Sequence, residues 1–414
     1  MRVLLLGGGG REHALGWKLA RSPHLTDLIS APGNPGLARL GPLLPDLDTA
    51  DPSAVADAAN GFDLVVVGPE APLAAGVVDA LEERGILAFG PTAAAARLES
   101  SKRYAKELME RAGIATAPAM AFTDADEAAS HLARHPGPYV VKADGLAAGK
   151  GVLVTEDLIA AQAWARLCID GHFGEAGSTV IVEDHIAGRE VSVFALCDGE
   201  NAVTLEPARD FKRLGDGDTG PNTGGMGCYS PVADLPPDLL QRTMAEVIEP
   251  ALAALADDGV VYRGFLYAGL ILGEDGLKVL EFNSRMGDPE AQVVLPRLDE
   301  DLIELMASPL PQRALRWLPA AAVNVVIAAP GYPERPQLGA PIHGLDVATE
   351  SPDVLVFHGA TRTDEAGRIS VAGGRVLNVV GLGDTVAAAR AAAYDAVATV
   401  DFGGMQYRKD IALS

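Results

Sequence analysis

The segment KADGLAAGKG, from Lys142 to Gly151, combines two lysines and three glycines. Gly145, Gly149 and Gly151 leave backbone N–H groups accessible to phosphate oxygens, while Lys142 and Lys150 supply positive charge. The spacing departs from a P-loop, because Gly145 and Gly149 are one residue too close and Gly151 replaces the Ser or Thr that binds magnesium. Strand-like residues lie on both sides. The segment therefore predicts a glycine-rich flap over ATP, since a plain hairpin, the alternative, needs neither the lysines nor the glycines.

A carboxylate, an amide and a guanidinium alternate along the later stretch LEFNSR, residues 280–285. Strand periodicity places Glu281, Asn283 and Arg285 on one face. Mg²⁺ prefers oxygen ligands and usually keeps water and nucleotide phosphates in its shell, so two protein ligands can suffice. The alternation predicts a magnesium–phosphate site, and an exposed polar strand face is the alternative.

Four consecutive glycines, residues 7–10, follow an apolar run and precede a helix-like segment. A dinucleotide fingerprint requires another glycine where Glu12 or His13 stands, and an acid after the second strand. Residues 28–32, LISAP, contain no acid. Backbone N–H groups at a helix N-terminus can nevertheless hold a phosphate. An anion site and a tight structural turn both remain open.

The end of a predicted strand carries Glu183, His185 and Ile186, and Glu190 follows. A strand that ends and turns can offer backbone groups to an adenine edge, and Glu190 could accept hydrogen bonds from ribose hydroxyls. A strand end with surface acids is an equally good interpretation.

Lys212 and Arg213 are adjacent, and DTGPNTGGMG, residues 218–227, follows them. The composition of this segment predicts a loop too long to be a simple connector, which favours a functional role. Adjacent basic residues in an acidic chain indicate a nearby anion, and an ordinary surface loop is the alternative.

Three regions are predicted to position these residues. Continuous apolar strands at 3–6 and 63–67, with helices at 12–20, 75–84 and 93–112, are typical of a parallel α/β domain covered on both faces. From residue 139 the strands have antiparallel character, and Gly273 to Gly276 form a hairpin turn. Beyond a proline-containing boundary at 309–319, strands at 323–328 and 375–380 and a helix at 385–400 capped by Asp384 predict a small α+β domain. The predicted boundaries are 1–101, 102–315 with a lid subdomain at about 120–188, and 316–414.

The composition excludes several classes of protein. Hydrophobic residues make up 48% and charged residues 21% of the 414 residues, as in globular proteins. The net charge of −23 opposes binding to nucleic acid or anionic lipid. No apolar run is long enough to cross a bilayer. Three widely spaced cysteines suggest neither a disulfide framework nor a zinc site, so we expect a cytoplasmic protein.

The order of these motifs resembles the phosphoribosylamine–glycine ligase family of the ATP-grasp superfamily. The resemblance spans nearly the whole chain, and its most specific element is DTGPNTGGMG. The other matching segments are GGREHA (9–14), VGPEAPL (67–73), KADGLAAGKG (142–151), GFLYAGL (264–270) and GDPE (287–290). The chain departs from the family pattern at Phe211, where His is expected, at Gly8, where Asn is common, and around Arg285. These departures affect the edges of the substrate site.

The resemblance implies an N-terminal parallel α/β domain, a central ATP-grasp fold of two α+β subdomains and a small C-terminal α+β domain. It implies Mg²⁺ or Mn²⁺ on Glu281 and Asn283, and catalytic roles for Arg285 and Lys142. The implied ATP residues are Lys102, Lys142, Gly145, Gly149, Lys150, Gly151, Glu183, His185, Ile186 and Glu190. The implied substrate residues are Gly9, Gly10, Arg11, Glu70, Asp210, Lys212, Arg213, Asn222, Thr223, Gly224, Gly225, Met226 and Arg285.

The implied reaction joins glycine to 5-phosphoribosylamine through glycyl phosphate, with ATP as co-substrate and a monomeric enzyme expected. Because positioning and electrostatics supply most catalysis in phosphoryl transfer, no nucleophilic side chain is required. The alternatives are an ATP-grasp ligase with another acceptor, a dinucleotide-dependent reductase and a non-catalytic nucleotide sensor.

Overall fold

The computed structural model describes residues 1–147 and 150–413. Its N-terminal part is a parallel α/β layer. Strands β1 (Arg2–Gly7), β2 (Asp27–Pro32), β3 (Leu64–Val67) and β4 (Ala88–Phe89) lie in the order β2-β1-β3-β4. Its helices are α1 (Gly10–Leu19), α2 (Pro52–Ala58), α3 (Glu70–Ala74), α4 (Val77–Glu83) and α5 (Ala93–Ser100). Val3 and Leu5 pack in one hydrophobic core and Leu4 and Leu6 in another, so both faces of the sheet are covered, as the continuous apolar strand predicted.

The region after α6 (Lys102–Arg111) contains a small antiparallel sheet. Its strands are β5 (Ala119–Phe122), β6 (Tyr139–Ala143), β7 (Val152–Thr155) and β8 (Val180–Asp184), in the order β5-β8-β6-β7. Helices α7 (Ala125–Leu132) and α8 (Leu158–Leu167) complete it. These elements share a hydrophobic core that contains Phe122, Leu132, Val141 and Ala161. The predicted strands on both sides of the glycine-rich segment are confirmed.

A second antiparallel sheet has the order β10-β9-β15-β16. Its strands are β9 (Arg189–Asp198), β10 (Ala202–Thr204), β15 (Arg263–Gly273) and β16 (Gly276–Asn283). Between them lie β11 (Arg209–Asp210), β12 (Arg213–Gly215), β13 (Thr219–Asn222), β14 (Gly227–Ser230), α9 (Leu239–Thr243) and α10 (Glu249–Asp257). Helices α11 (Ala291–Arg297) and α12 (Leu302–Ala307) follow. Gly273 pairs with Gly276 as the predicted hairpin requires.

The C-terminal part adds β17 (Ala321–Ala328), α13 (Leu345–Ala348), β18 (Val354–His358), β19 (Thr361–Thr363), β20 (Ile369–Val371), β21 (Arg375–Gly383) and α14 (Val386–Val397). Its main sheet has the order β11-β14-β17-β21-β18. Strands β11 and β14 belong to the central part of the chain, whereas β17, β21 and β18 belong to the C-terminal part. The two parts therefore share one sheet. The α/β and α+β architecture agrees with the predicted fold class, while the numerical domain boundaries stay a prediction.

The prediction of a single helix over 93–112 is wrong, because the helical conformation is interrupted at Ser101. Ser101 has an extended backbone, with φ −141° and ψ 107°, and its hydroxyl accepts a hydrogen bond from the N–H of Tyr104. This is an N-cap, which starts a new helix rather than continuing the old one. Lys102 is thereby placed at the first position of α6.

Two predicted helix ends also differ from the structure. The helix predicted over 75–84 begins later, because Gly76 has φ +87° and separates α4 from the short α3. Asp384 does not cap α14; the hydroxyl of Thr385 accepts the hydrogen bond from the N–H of Ala388 instead. Among the described residues, no helix combines the length and apolar character needed to cross a membrane.

Candidate active site

Lys102 connects the start of α6 to the base of the predicted flap. Its Nζ atom lies 3.3 Å from the carbonyl oxygen of Asp144 and 3.2 Å from that of Gly145. Burial lowers the pKa of Lys102; the negative charge of Glu281 opposes this shift, and the positive charge of Lys142 adds to it. The helix break that the sequence did not predict therefore brings Lys102 beside Lys142 and Glu281.

A buried carboxylate lies between two lysines. Lys142 Nζ on β6 is 2.9 Å from Glu183 Oε2 on the neighbouring β8, and Lys106 Nζ on α6 is 3.3 Å from the same oxygen. The Glu183 side chain is only 3% exposed. Its other oxygen, Oε1, is buried without a hydrogen-bond partner in the described part of the chain. Buried acceptors are normally satisfied, so this oxygen can accept a hydrogen bond from a ligand.

Glu281 on β16 carries the carboxylate predicted to bind metal. Burial raises the pKa of Glu281, but the surrounding positive charge outweighs burial and leaves the pKa below its ordinary value. The cations responsible are Lys212, Lys142, Lys102 and Arg285. Across residues 1–147 and 150–413, the Glu281 carboxylate forms no ion pair within 4.0 Å. Both oxygens are available, and the Asn283 amide at the next position on the same face supplies another hard oxygen donor, so the pair fits Mg²⁺ or Mn²⁺.

Lys212 lies between the predicted nucleotide residues and the predicted substrate residues. Its Nζ atom is 2.6 Å from Glu190 Oε2 and 4.0 Å from Asp210 Oδ1. Burial works against the charged form, but Asp210 and Glu190 raise the pKa of Lys212 well above its ordinary value. Lys212 is therefore a fixed positive charge beside the Glu281 site.

Glu290 is a nearly buried acid in the same region. The hydroxyl of Ser192 donates a hydrogen bond to Glu290 Oε1 at 3.0 Å and lies 3.0 Å from the hydroxyl of Tyr267. Burial, together with the negative charge of Asp210, raises the pKa of Glu290 to about 7. This carboxyl therefore titrates near neutral pH.

Arg285 forms ion pairs with acids from two other elements. Its Nη2 atom lies 2.8 Å from Glu99 Oε1 on α5, and its Nε atom lies 3.4 Å from Glu70 Oε2 at the start of α3. Arg11 Nη2 is 3.7 Å from the same Glu70 oxygen. Burial opposes ionisation of Glu70, but Arg285, Arg11 and Arg375 lower its pKa to about 2. The N-terminal layer thus contributes a permanently ionised acid to the site.

The N-terminal glycine cluster is held by its own helix. The N–H of Gly9 donates to Glu12 Oε2 at 2.7 Å, and Arg11 Nε donates to Glu12 Oε1 at 2.6 Å. The N–H predicted to be free at Gly9 is therefore occupied, which favours the structural-turn interpretation for that residue. A Cβ atom at Gly10 would lie 2.2 Å from Asn378 Nδ2, so the turn also packs closely against β21.

The segment predicted to be a loop contains a β-hairpin. Arg213 on β12 pairs with Asn222 on β13, and Arg213 Nη1 donates to the carbonyl of Gly220 at 2.9 Å. The Thr223 hydroxyl donates to the carbonyl of Lys212 and accepts from the N–H of Gly225, at 2.8 and 3.0 Å. The strand pairing of Arg213 with Asn222 and its hydrogen bond to Gly220 hold the two strands of the hairpin together.

Met226 is fully buried and packs with Ala328 and Tyr332 in an apolar cluster. This position favours a packing role for Met226 within the motif. Its role in substrate binding stays a prediction.

The remaining predicted nucleotide residues follow β6 or β8. The N–H of Gly145 donates to the carbonyl of Ala176, and Gly151 accepts from the N–H of Ala143, so both glycines are fixed at the ends of the flap. The N–H of Lys150 donates to the carbonyl of Ala147. Lys150 and His185 are exposed, and Ile186 is half-buried. Gly149 lies outside the described residues.

Sequence reasoning missed Lys106, Glu99 and Arg375. Lys106 lies one helical turn after Lys102, so recognising the N-cap at Ser101 would have placed both lysines on one face. Glu99 and Arg375 are single charged residues with no motif around them, and only the fold reveals their partners.

The fold resembles that of several solved carboxylases. One is the biotin carboxylase domain of the 2-oxoglutarate carboxylase from Hydrogenobacter thermophilus, with 17% identity, a TM-score of 0.73 and coverage of 98% of this chain and 91% of that chain. A crystal structure of phosphoribosylamine–glycine ligase from Thermotoga maritima matches at 36% identity and a TM-score of 0.84, with both chains fully covered.

Family profiles cover most of the chain. The N domain of phosphoribosylglycinamide synthetase matches residues 1–99, its ATP-grasp (A) domain residues 100–291 and its C domain residues 322–414. Proteins named phosphoribosylamine–glycine ligase from Ralstonia nicotianae and Rhizobium meliloti are 48% and 46% identical, each over 99% of this chain and 98% of theirs. The chain belongs to this family of ATP-grasp ligases of purine biosynthesis, and the predicted ATP-grasp architecture is confirmed.

Proposed function

We propose that the chain joins glycine to 5-phospho-D-ribosylamine, giving glycinamide ribonucleotide, ADP and phosphate through glycyl phosphate. The names of the relatives supply the substrates. The observation that carries the residue assignments is the convergence of cations from α6, β6, the β11–β12 connection and the end of β16 around the Glu281 carboxylate. Binding of a triphosphate requires several positive groups in one place. In a chain with a net charge of −23, such a group of cations is not expected by chance.

The nucleotide lies between the two antiparallel sheets in this proposal. Lys102 and Lys142 contact its phosphates, and Glu183 Oε1 accepts a hydrogen bond from the adenine side. Glu190 binds the ribose hydroxyls, with Lys212 at 2.6 Å holding the carboxylate in place. The unsatisfied Glu183 oxygen supports this arrangement, because a buried acceptor without a partner is destabilising until a donor arrives.

Glu281 and Asn283 would hold the divalent cation, Mg²⁺ or Mn²⁺. When bound, the ion supplies positive charge that neutralises the phosphate oxygens during transfer. The residue pair supports this assignment, because it offers only hard oxygen donors and because the Glu281 carboxylate has no competing ion pair among the described residues.

Glycine activation requires two anions to approach each other. At about 4 Å, two like unit charges repel by roughly 4 kcal/mol at an effective dielectric near 20. Arg285, held by Glu99 and Glu70, places a fixed guanidinium where it offsets this repulsion. A glycine carboxylate oxygen then bonds to the γ-phosphorus of ATP, and the bond from that phosphorus to the bridging oxygen breaks to release ADP.

The second step uses the same site. The amine nitrogen of phosphoribosylamine bonds to the acyl carbon of glycyl phosphate, phosphate leaves with the former acyl–oxygen bond electrons, and the amine loses one proton. We assign the acceptor to the space near Glu70, Arg11 and residues 222–225. The flap at 145–151 serves as a lid that protects the acyl phosphate from water.

Three buried free cysteines support a reducing, cytoplasmic location. Cys168, Cys197 and Cys228 are unpaired, and burial raises the pKa of Cys168 to about 11. Such thiols are unreactive and suit a compartment where disulfides do not form. We retain a monomer and the domain boundaries 1–101, 102–315 and 316–414 as part of the proposal.

The test is ADP release from ATP with glycine and phosphoribosylamine generated in situ, omitting each component in turn. We expect full turnover only when both substrates and a divalent cation are present. Equal turnover with a different amine acceptor would instead favour an ATP-grasp ligase of other specificity. ADP release that does not require glycine would contradict the proposed reaction.

A further inference from the structure

Arg375, the first residue of β21, reaches two of the glycine-containing motifs at once. Its Nη1 atom donates to the carbonyl oxygen of Gly224 at 2.5 Å and to that of Asp288 at 2.6 Å. Its Nη2 atom donates to Asp288 Oδ2 at 2.9 Å. The planar guanidinium thus joins the segment that follows the β12–β13 hairpin to the GDPE turn at 287–290. Lysine does not reproduce this arrangement, because its donors lie on one nitrogen at the end of a flexible chain, whereas the guanidinium presents two nitrogens in a fixed plane.

Residues of the C-terminal part bind both the N–H and the carbonyl group of Gly224. The N–H of Gly224 donates to the hydroxyl of Tyr332 at 3.0 Å, while its carbonyl accepts from Arg375. A Cβ atom at position 224 would lie 3.0 Å from the guanidinium carbon, so this close approach favours glycine. Gly225 has φ +110°, and a Cβ atom there would lie 2.4 Å from Pro289 Cδ. The glycines therefore allow a tight contact whose position Arg375 sets.

The charge of the same guanidinium acts on the Glu70 carboxylate of the N-terminal layer. Arg375 is one of three arginines whose charges act on Glu70, together with Arg285 and Arg11. Asp288 Oδ1 is held separately by Gln292 Nε2 at 2.7 Å, so the partner of Arg375 is itself fixed. Arg375 therefore occupies a rigid position between the hairpin, the GDPE turn and Glu70.

We propose that Arg375 is a positioning residue for the acceptor: it fixes residues 222–225 against the GDPE turn so that phosphoribosylamine is bound productively. This inference rests on the proposed function, because the acceptor is defined there. Arg375 acts through residues 222–225, to which it is bound at Gly224. The region around Lys102, Lys142 and Glu281 is held by other contacts. Loss of Arg375 therefore impairs use of the acceptor far more than binding of ATP.

The experiment compares Arg375→Lys and Arg375→Ala with wild type in steady-state ADP release, varying each substrate in turn. We expect KM for phosphoribosylamine to rise, or kcat/KM for it to fall, by about tenfold or more, as for loss of a charge-assisted contact. KM for ATP should change by less than about twofold. Tyr332→Phe, which removes only the acceptor for the Gly224 N–H, should show the same pattern with a smaller effect.

Arg362→Ala is the matched control, because Arg362 is an exposed arginine of β19 in the same C-terminal part. It should leave all three KM values unchanged. Thermal unfolding of each variant reports on folding. If Arg375 had a purely structural role, its replacement would lower the Tm and would lower kcat/KM for all three substrates together. That result, or an unchanged acceptor kcat/KM in Arg375→Lys, would overturn the inference. Failure of wild type to use phosphoribosylamine would instead contradict the proposed function.

Discussion

Replacing Lys142 with methionine separates the proposed catalytic role of this lysine from its role in the fold. Methionine keeps much of the side-chain volume but removes the ammonium group. Lys142 Nζ lies 2.9 Å from Glu183 Oε2, where opposite unit charges attract by about 6 kcal/mol at an effective dielectric near 20. Lys106 lies 3.3 Å from the same oxygen and attracts it separately by about 5 kcal/mol at the same dielectric. Glu183 therefore keeps one partner.

The free energy of unfolding should consequently fall by only about 1–3 kcal/mol, less than the roughly 3–5 kcal/mol expected when a buried ion pair is broken outright. Turnover should fall much further. Removing one fixed group that stabilises transition-state charge typically lowers kcat by about 100-fold or more. Urea unfolding and ADP release measured on the same preparation test both expectations.

The double variant Lys142→Met/Glu183→Gln provides the discriminating comparison. Neutralising both partners should recover most of the lost stability, because no buried charge then lacks a partner, whereas turnover should stay low. Arg166→Met, which breaks the exposed Arg166–Asp126 pair between α8 and α7, should change neither quantity appreciably. The reasoning fails if Lys142→Met turns over at the wild-type rate, or if the double variant regains activity along with stability.

Three further predictions follow from single residues. Glu281→Gln should raise the Mg²⁺ concentration for half-maximal ADP release by about tenfold or more, because a charged ligand is lost; an unchanged titration would argue against the metal assignment. Burial lowers the pKa of His13 to about 3. Unfolding exposes a histidine that binds a proton below about pH 6.5, so the His13 contribution to stability is present above that pH and declines below it, by about 2 kcal/mol at pH 5. In urea unfolding, His13→Gln should show a smaller decline between pH 7 and pH 5, and an equal decline would show that His13 is not responsible. The pKa of Glu290 is raised to about 7, so its contribution to stability changes with pH in the opposite direction. Its contribution is present below the unfolded pKa and is lost as pH rises through 7, so Glu290→Gln should lose less stability than wild type between pH 5 and pH 8.

Local patterns in the sequence predicted those parts of the site that lie on single strands. Alternation along β16 is enough to place Glu281 and Asn283 on one face, because side-chain direction in a strand depends only on parity. The strands β6 and β7 on either side of the glycine-rich segment were predictable because both are apolar, strand-like runs. The continuous apolar residues of β1 likewise predicted a sheet with both faces covered.

Contacts between distant segments could not be predicted in this way. Glu99 meets Arg285 only because α5 packs near the end of β16, and the 185 residues between them contain no signal for that pairing. The break at Ser101 had a local signal, a serine before a basic amphipathic helix, but the apolar periodicity on both sides concealed it. Membership of a motif also did not reveal which of its residues are buried, as Met226 illustrates.

The charge arrangement of the site explains how an acidic chain can bind a polyanion. Its principal cations are held by acids from other elements: Lys142 by Glu183, Lys212 by Glu190, and Arg285 by Glu99 and Glu70. These pairs prevent mutual repulsion among the cations, and they fix each positive group before a ligand arrives, so that little reorganisation is needed during reaction. Glu281 differs, because its carboxylate has the cations nearby but forms no close ion pair among the described residues. Glu281 is therefore well placed to bind a metal ion, and the acids engaged in ion pairs are those that orient the cations around it.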